Sequence, residues 1–111
     1  MNFSDKSAPP YLNAMELLAI EEIEQQLQNL PQEIAKSINK HEAIAYALNR
    51  LPPLYATSVE GYFWQQKRAR ETLKDLISKA ASWGIKAAQR NKKLRSSRDA
   101  ISLTKSYNNE D

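Results

Sequence analysis

Two glycines in 111 residues, Gly61 and Gly84, constrain this chain more than any other feature of its sequence. A multi-stranded sheet needs a turn between strands, and glycine is the usual punctuation of such turns. Ala, Leu, Glu, Gln, Lys and Arg dominate instead, residues that lose little on entering a helix. The expected fold is therefore all-α: a small bundle of about four helices with a long C-terminal helix. A chain of this length has room for one domain with a modest core.

The helices can be placed by caps and spacing. Residues 1–10 end in Pro9 and Pro10 and read as a flexible arm. Asn13 and Glu16 form a capping-box pattern, and Met15, Ala19, Ile23, Leu27 and Leu30 follow at helical spacing, predicting a helix over 13–29. Pro31 suits the start of a short second helix carrying Ile34, Ala35 and Ile38. Asn39 and Glu42 repeat the capping pattern and open a third helix, with Ile44, Ala47, Leu48 and Leu51 inward, which Pro52 and Pro53 terminate. Residues 54–58 must be extended or turn-like. Thr57 or Ser58 then caps a helix that can run to about Asn91.

That last helix would be about 45 Å long at 1.5 Å per residue, longer than a small domain is wide. Its stripe of Ala69, Leu73, Leu76, Ile77, Ala80, Gly84 and Ala87 turns small toward the C-terminal end. Such a seam permits close helix packing, and a second copy of the chain is the expected occupant, making a homodimer. The domain so defined spans 11–91. Residues 92–111 lack apolar periodicity and read as a basic, largely disordered tail, with room for a short helix over 99–105.

The net charge of +3 hides an asymmetry: residues 1–49 balance to −4 and residues 50–111 to +7. A basic half favours an anionic partner. The run Lys86, Arg90, Lys92, Lys93, Arg95 and Arg98 is more simply a charged helix end entering a solvated tail, and direct nucleic-acid binding is not expected from it. No leader peptide or membrane span is legible, and the absence of cysteine fits a reducing compartment, so a cytoplasmic location is expected.

Catalysis is not expected. His41 is the single histidine and has no legible orienting carboxylate, thiol chemistry is excluded, and two isolated glycines make no phosphate loop. No catalytic residue and no metal ligand is assigned. The informative stretch is 49–58, where Arg50, Tyr55, Thr57 and Ser58 gather around Pro52 and Pro53 in a rigid polar elbow. A helix stop plus an N-cap explains the prolines and Ser58, but not the company of Arg50, Tyr55 and Thr57. The elbow feeds a helix N-terminus, a natural phosphate site, and Arg50 is expected to be buried there. Just beyond it Tyr62, Phe63 and Trp64 interleave with Lys67, Arg68 and Arg70. On a helix Trp64, Lys67 and Arg68 share a face, a pattern that stacks bases and pairs phosphates.

The run from His41 to Ser58, above all Ala47, Leu48, Asn49, Arg50, Leu51, Pro52, Pro53, Leu54 and Tyr55, resembles the centre of the late-competence ComFB family. The resemblance covers roughly residues 12–90. Some members of that family carry cysteines just before this helix, where a metal can bind; residues 34–39 have none, so no metal is implied here. The Cys-free members are associated with cyclic di-GMP sensing, as receptors that pass the signal to a partner protein such as a transcription regulator. The resemblance thus implies a non-enzymatic receptor that needs no cofactor, with cyclic di-GMP as ligand. That ligand offers two phosphates and two guanines, which Arg50, Tyr55, Trp64, Lys67 and Arg68, with Thr57 and Ser58 as neutral donors, are equipped to hold. Two alternatives stand beside it: a small basic nucleic-acid-associated protein, and a protein-interaction adaptor without a small ligand.

Overall fold

The computed structural model describes residues 10–109, with side chains described as far as Leu94, so most of the arm read over 1–10 lies outside the described residues. The fold is all-α with a long C-terminal helix, as the sequence predicts. Five helices are present among the described residues: α1 Met15–Gln28, α2 Gln32–Ser37, α3 Lys40–Leu48, α4 Val59–Thr72 and α5 Lys74–Asn109. Two short strands, β1 Leu12–Asn13 and β2 Tyr55–Ala56, pair antiparallel with Leu12 opposite Ala56 and Asn13 opposite Tyr55.

The apolar stripe of α1 becomes the core as its spacing predicts. Met15, Ala19 and Ile23 are fully buried and Leu18 and Leu27 nearly so. Burying a side chain the size of Met15 or Ile23 contributes about 1.5–3 kcal/mol. Gln26 Nε2 donates to the Ser78 carbonyl at 3.0 Å, tying α1 to α5. Asn39 caps α3 as expected, its Oδ1 accepting from the Glu42 amide at 3.2 Å.

The small seam of α5 is occupied, but by α3 rather than by another copy. Ala80, Ala81 and Ala88 are buried in the same cluster as Ala43 and Ala47. Gly84 lies directly against the Ala43 backbone, where there is no room for a Cβ. Alanine and glycine on both helices let the two backbones approach closely, so this contact is internal to one chain. The expectation that a second copy fills the seam is corrected accordingly.

Three other expectations change. The single helix expected from residue 58 onward breaks at Leu73, whose φ of −119° and ψ of 15° leave the helical region. Thr72 Oγ1 donates back to the Arg68 carbonyl at 2.8 Å, a competing bond of the kind that bends helices. The break lets α4 lean on β2 and α1 while α5 packs along α3 and α1. Second, α5 does not end near Asn91: its backbone stays helical to Asn109, through the segment read as a largely disordered tail. Lys, Arg, Leu and Ala carry it, with no glycine or proline after Gly84. Among the residues of α5 whose side chains are described, Ala88 is the last buried one, and 89–94 are all exposed, so this stretch leaves the core. Third, α1 starts at Met15 rather than at residue 13, because Asn13 is recruited to the strand pair.

Candidate functional site

The elbow is built by local bonds that leave little freedom. Asn49 ends α3 with its amide bonded to the Ala45 and Ala47 carbonyls, and the Arg50 amide reaches the Ala47 carbonyl at 3.0 Å. Leu51 turns inward, while Pro52 and Pro53, which have no amide hydrogen to satisfy, stay exposed. The chain is then stitched to the start of α1. Asn13 Oδ1 accepts from the Leu54 amide at 2.8 Å and from the Met15 amide at 3.0 Å. The Ala14 amide donates to the Leu54 carbonyl at 2.7 Å. Asn13 is thus less a helix cap than a clamp joining α1 to the elbow.

Ser58 caps α4, its Oγ accepting from the Gly61 amide at 3.0 Å. Tyr62 is buried beneath this first turn. Its pKa is raised above the usual 10.0, first by burial and then by the charges of Glu16 and Glu21, with the neighbouring Gln66 side chain opposing the shift.

The candidate ligand residues all lie at the surface. Arg50, expected to be buried, is exposed. Its guanidinium lies 3.4 Å from the centroid of the Tyr46 ring and its Nη1 donates to the Tyr46 carbonyl at 3.1 Å. The correction has a simple cause: a long cation at a helix C-terminus turns back over the ring one turn earlier, where it also meets the unsatisfied carbonyls. Tyr55 is 58% exposed and meets Tyr11 edge to face, with centroids 5.6 Å apart. Thr57 is exposed. On α4, Trp64 is 57% exposed with Arg68 5.4 Å from its centroid, and Lys67 stands on the same open side. Phe63, 55% exposed, and Val59 extend the apolar part of this helix face.

The seven residues are therefore not one pocket. Arg50 belongs to a stack with Tyr46, Tyr55 to a pair with Tyr11, and Trp64 to a stack with Arg68. Ser58 is committed to capping. Arg70 points away, paired with Glu21 at 2.9 Å across to α1. Sequence reasoning missed Tyr11 and Tyr46 as ring partners; the i, i+4 spacing of Tyr46 and Arg50 was the available signal. Chemically, the α4 face offers a flat indole, a guanidinium that stacks on it and an ammonium one turn along, all open to solvent. That arrangement accepts a planar ring bearing an anion.

Among the described residues no helix is long and apolar enough to cross a membrane, and no three His, Asp or Glu side chains are placed to hold a metal ion. The family model of the late competence development protein ComFB matches residues 12–92. No curated protein matches the chain.

Proposed function

Because the chain belongs to the ComFB family, whose model covers most of its length, we propose that it is a non-enzymatic receptor for cyclic di-GMP. It binds the ligand on the open face of α4 next to the elbow, and it reports the second-messenger state to a partner regulator in the cytoplasm. The observation that carries this reading is the exposed Trp64–Arg68 stack with Lys67 beside it. A tryptophan left more than half open is expensive in a domain short of core, and a guanine covering it would recover apolar contact while its phosphates meet the cations. Tyr55, open at the elbow, supplies a second ring. The receptor works as a homodimer. With the α5 seam filled by α3, the exposed Val59 and Phe63 on α4 offer an apolar surface to the second copy.

Calorimetric titration with cyclic di-GMP tests the reading. Trp64→Ala and Arg68→Ala should each weaken binding by about ten- to a hundredfold, the scale of one charged hydrogen bond or one stacked base. Their melting temperatures should hardly move, since both side chains are exposed. Arg50→Ala should weaken binding as well if the guanidinium leaves Tyr46 for the ligand. Unchanged affinity in the Trp64 and Arg68 variants would reject the α4 face; no heat from the wild-type protein would reject the receptor itself.

A further inference from the structure

A second surface is formed where α2 faces the outer half of α5. An open cleft of ≈ 840 Å³ lies there, with Ile34 and Ile38 on one side and Lys86, Arg90, Lys92 and Lys93 on the other. Ile34 is 42% exposed although α2 has no other large apolar residue to present, and Ile38 sits beside it at the edge of the core. Lys86, Arg90 and Lys93 recur at i, i+4 and i+7, so one face of this stretch of α5 is cationic. The Arg70–Glu21 pair involves none of these four cations, and none of them has a described carboxylate partner.

We infer that this cleft is the docking site for an acidic amphipathic helix of a partner protein. Two features select that occupant together. The cations call for a strongly anionic partner, and the apolar side of the cleft calls for an apolar side chain between the charges. An amphipathic helix with Leu or Phe on one face and Glu or Asp flanking it meets both demands at once. A nucleic-acid backbone meets only the first, because it has no apolar knob to set against Ile34. A small anionic ligand likewise meets the charge but brings no apolar side chain to set against Ile34. The position suits an output face. Gly84 meets α3 at Ala43, in its first turn, so the stretch of α5 beyond it lies toward the N-terminal end of α3, while the elbow leaves the opposite end. The inference rests on the receptor reading only in identifying this segment with the receptor's partner; the cleft is argued from its own residues.

The test uses three fluorescent probes at near-physiological salt. The first is a synthetic acidic helix with Leu at i, i+4 spacing, the second the same peptide with Leu replaced by Ser, and the third a short DNA duplex. Full-length protein should bind the first peptide at least tenfold more tightly than the other two probes. Ile34→Ser should remove that preference, and the K86E/R90E double variant should abolish peptide binding. All these positions are exposed, and circular dichroism confirms that the variants stay folded. Equal binding of the two peptides would reduce the cleft to a patch of charge and overturn the inference, as would no binding of the first. Tighter binding of the duplex would make it a nucleic-acid surface. Self-association lost in K86E/R90E would put a second copy there instead, and either result also overturns it. Cyclic di-GMP titrations keep the two readings apart: in the wild-type protein, nucleotide binding without peptide binding fails the cleft alone, and peptide binding without nucleotide binding fails the receptor alone.

Discussion

Replacing Gly84 with alanine sets two effects of opposite sign against each other, and the structure decides between them. Alanine favours the helix over glycine by about 1 kcal/mol, so an exposed Gly→Ala change in α5 would stabilise. At residue 84, however, the new Cβ would lie inside the van der Waals envelope of the Ala43 carbonyl oxygen and 3.1 Å from its carbonyl carbon. The obstacle is helical backbone in the first turn of α3, not the end of a flexible side chain, so nothing can rotate out of the way. α3 and α5 must separate, and the separation loosens Ala43, Ala47, Ala80, Ala81 and Ala88 together. Overpacking of a tight core typically costs about 1–3 kcal/mol and more where the backbone must move. A net loss of about 2 kcal/mol after the propensity gain would lower melting by roughly 10 °C for a domain this size. Gly61→Ala is the internal control. There the added Cβ meets Ser58 Oγ at 3.1 Å and Ala56 Cβ at 3.7 Å, and a hydroxyl can give way. Its melting should move by less than about 4 °C, since a propensity gain offsets a nudged cap. Thermal melts followed by circular dichroism compare the three proteins. A Gly84→Ala protein that melts at or above wild type would refute the close approach of α3 and α5 and the assignment of the seam to the chain itself.

Asn13→Ala removes the acceptor shared by the Met15 and Leu54 amides, and chemical denaturation should show a loss of about 1–3 kcal/mol, more than an ordinary helix cap gives. Asn13→Asp, which keeps the acceptor, should recover most of it; equal losses in the two variants would remove the clamp from the account. Tyr62 sets a pH dependence through its raised pKa. Below the usual 10.0 both states hold a neutral phenol, so nothing is lost; above it the unfolded chain ionises first, and stability falls as pH rises until the folded phenol ionises too. Tyr62→Phe should flatten that alkaline fall, and parallel melting curves of the two proteins across the alkaline range would contradict it.

The parts of the fold that could be read from the sequence were those whose causes are local. The α1 stripe follows from helical spacing alone, and Asn39 and Ser58 cap the amide three residues on, so both are visible in a four-residue window. Asn13 shows the same local pattern, yet its deciding partner, the Leu54 amide, is 41 residues away. A long-range bond can capture a residue that local propensity assigns to a cap, and nothing in the window reveals it. The break at Leu73 was hidden for another reason. Thr72 is tolerated in helices, and only the direction of its hydroxyl bond turns it into a bend. The small seam was legible as a seam but not as to whose helix fills it, because composition specifies closeness and topology specifies the partner.

Sites obey the same division. Trp64, Lys67 and Arg68 lie on one helical face, and their spacing alone was enough to group them. Arg50 departs from its local signal because its sequence neighbours, two prolines and a tyrosine, suggest enclosure, whereas its contact is with Tyr46 one turn back. The α2–α5 cleft was not legible at all. In the sequence its cations read as a solvated helix end, which they are until α2 is placed opposite them. What changes their meaning is Ile34, an exposed apolar side chain contributed from a distant part of the sequence. A charge run acquires shape only when the fold sets an apolar wall against it. For that reason Ile34→Ser, which alters no charge, is the variant that separates a built groove from a basic surface.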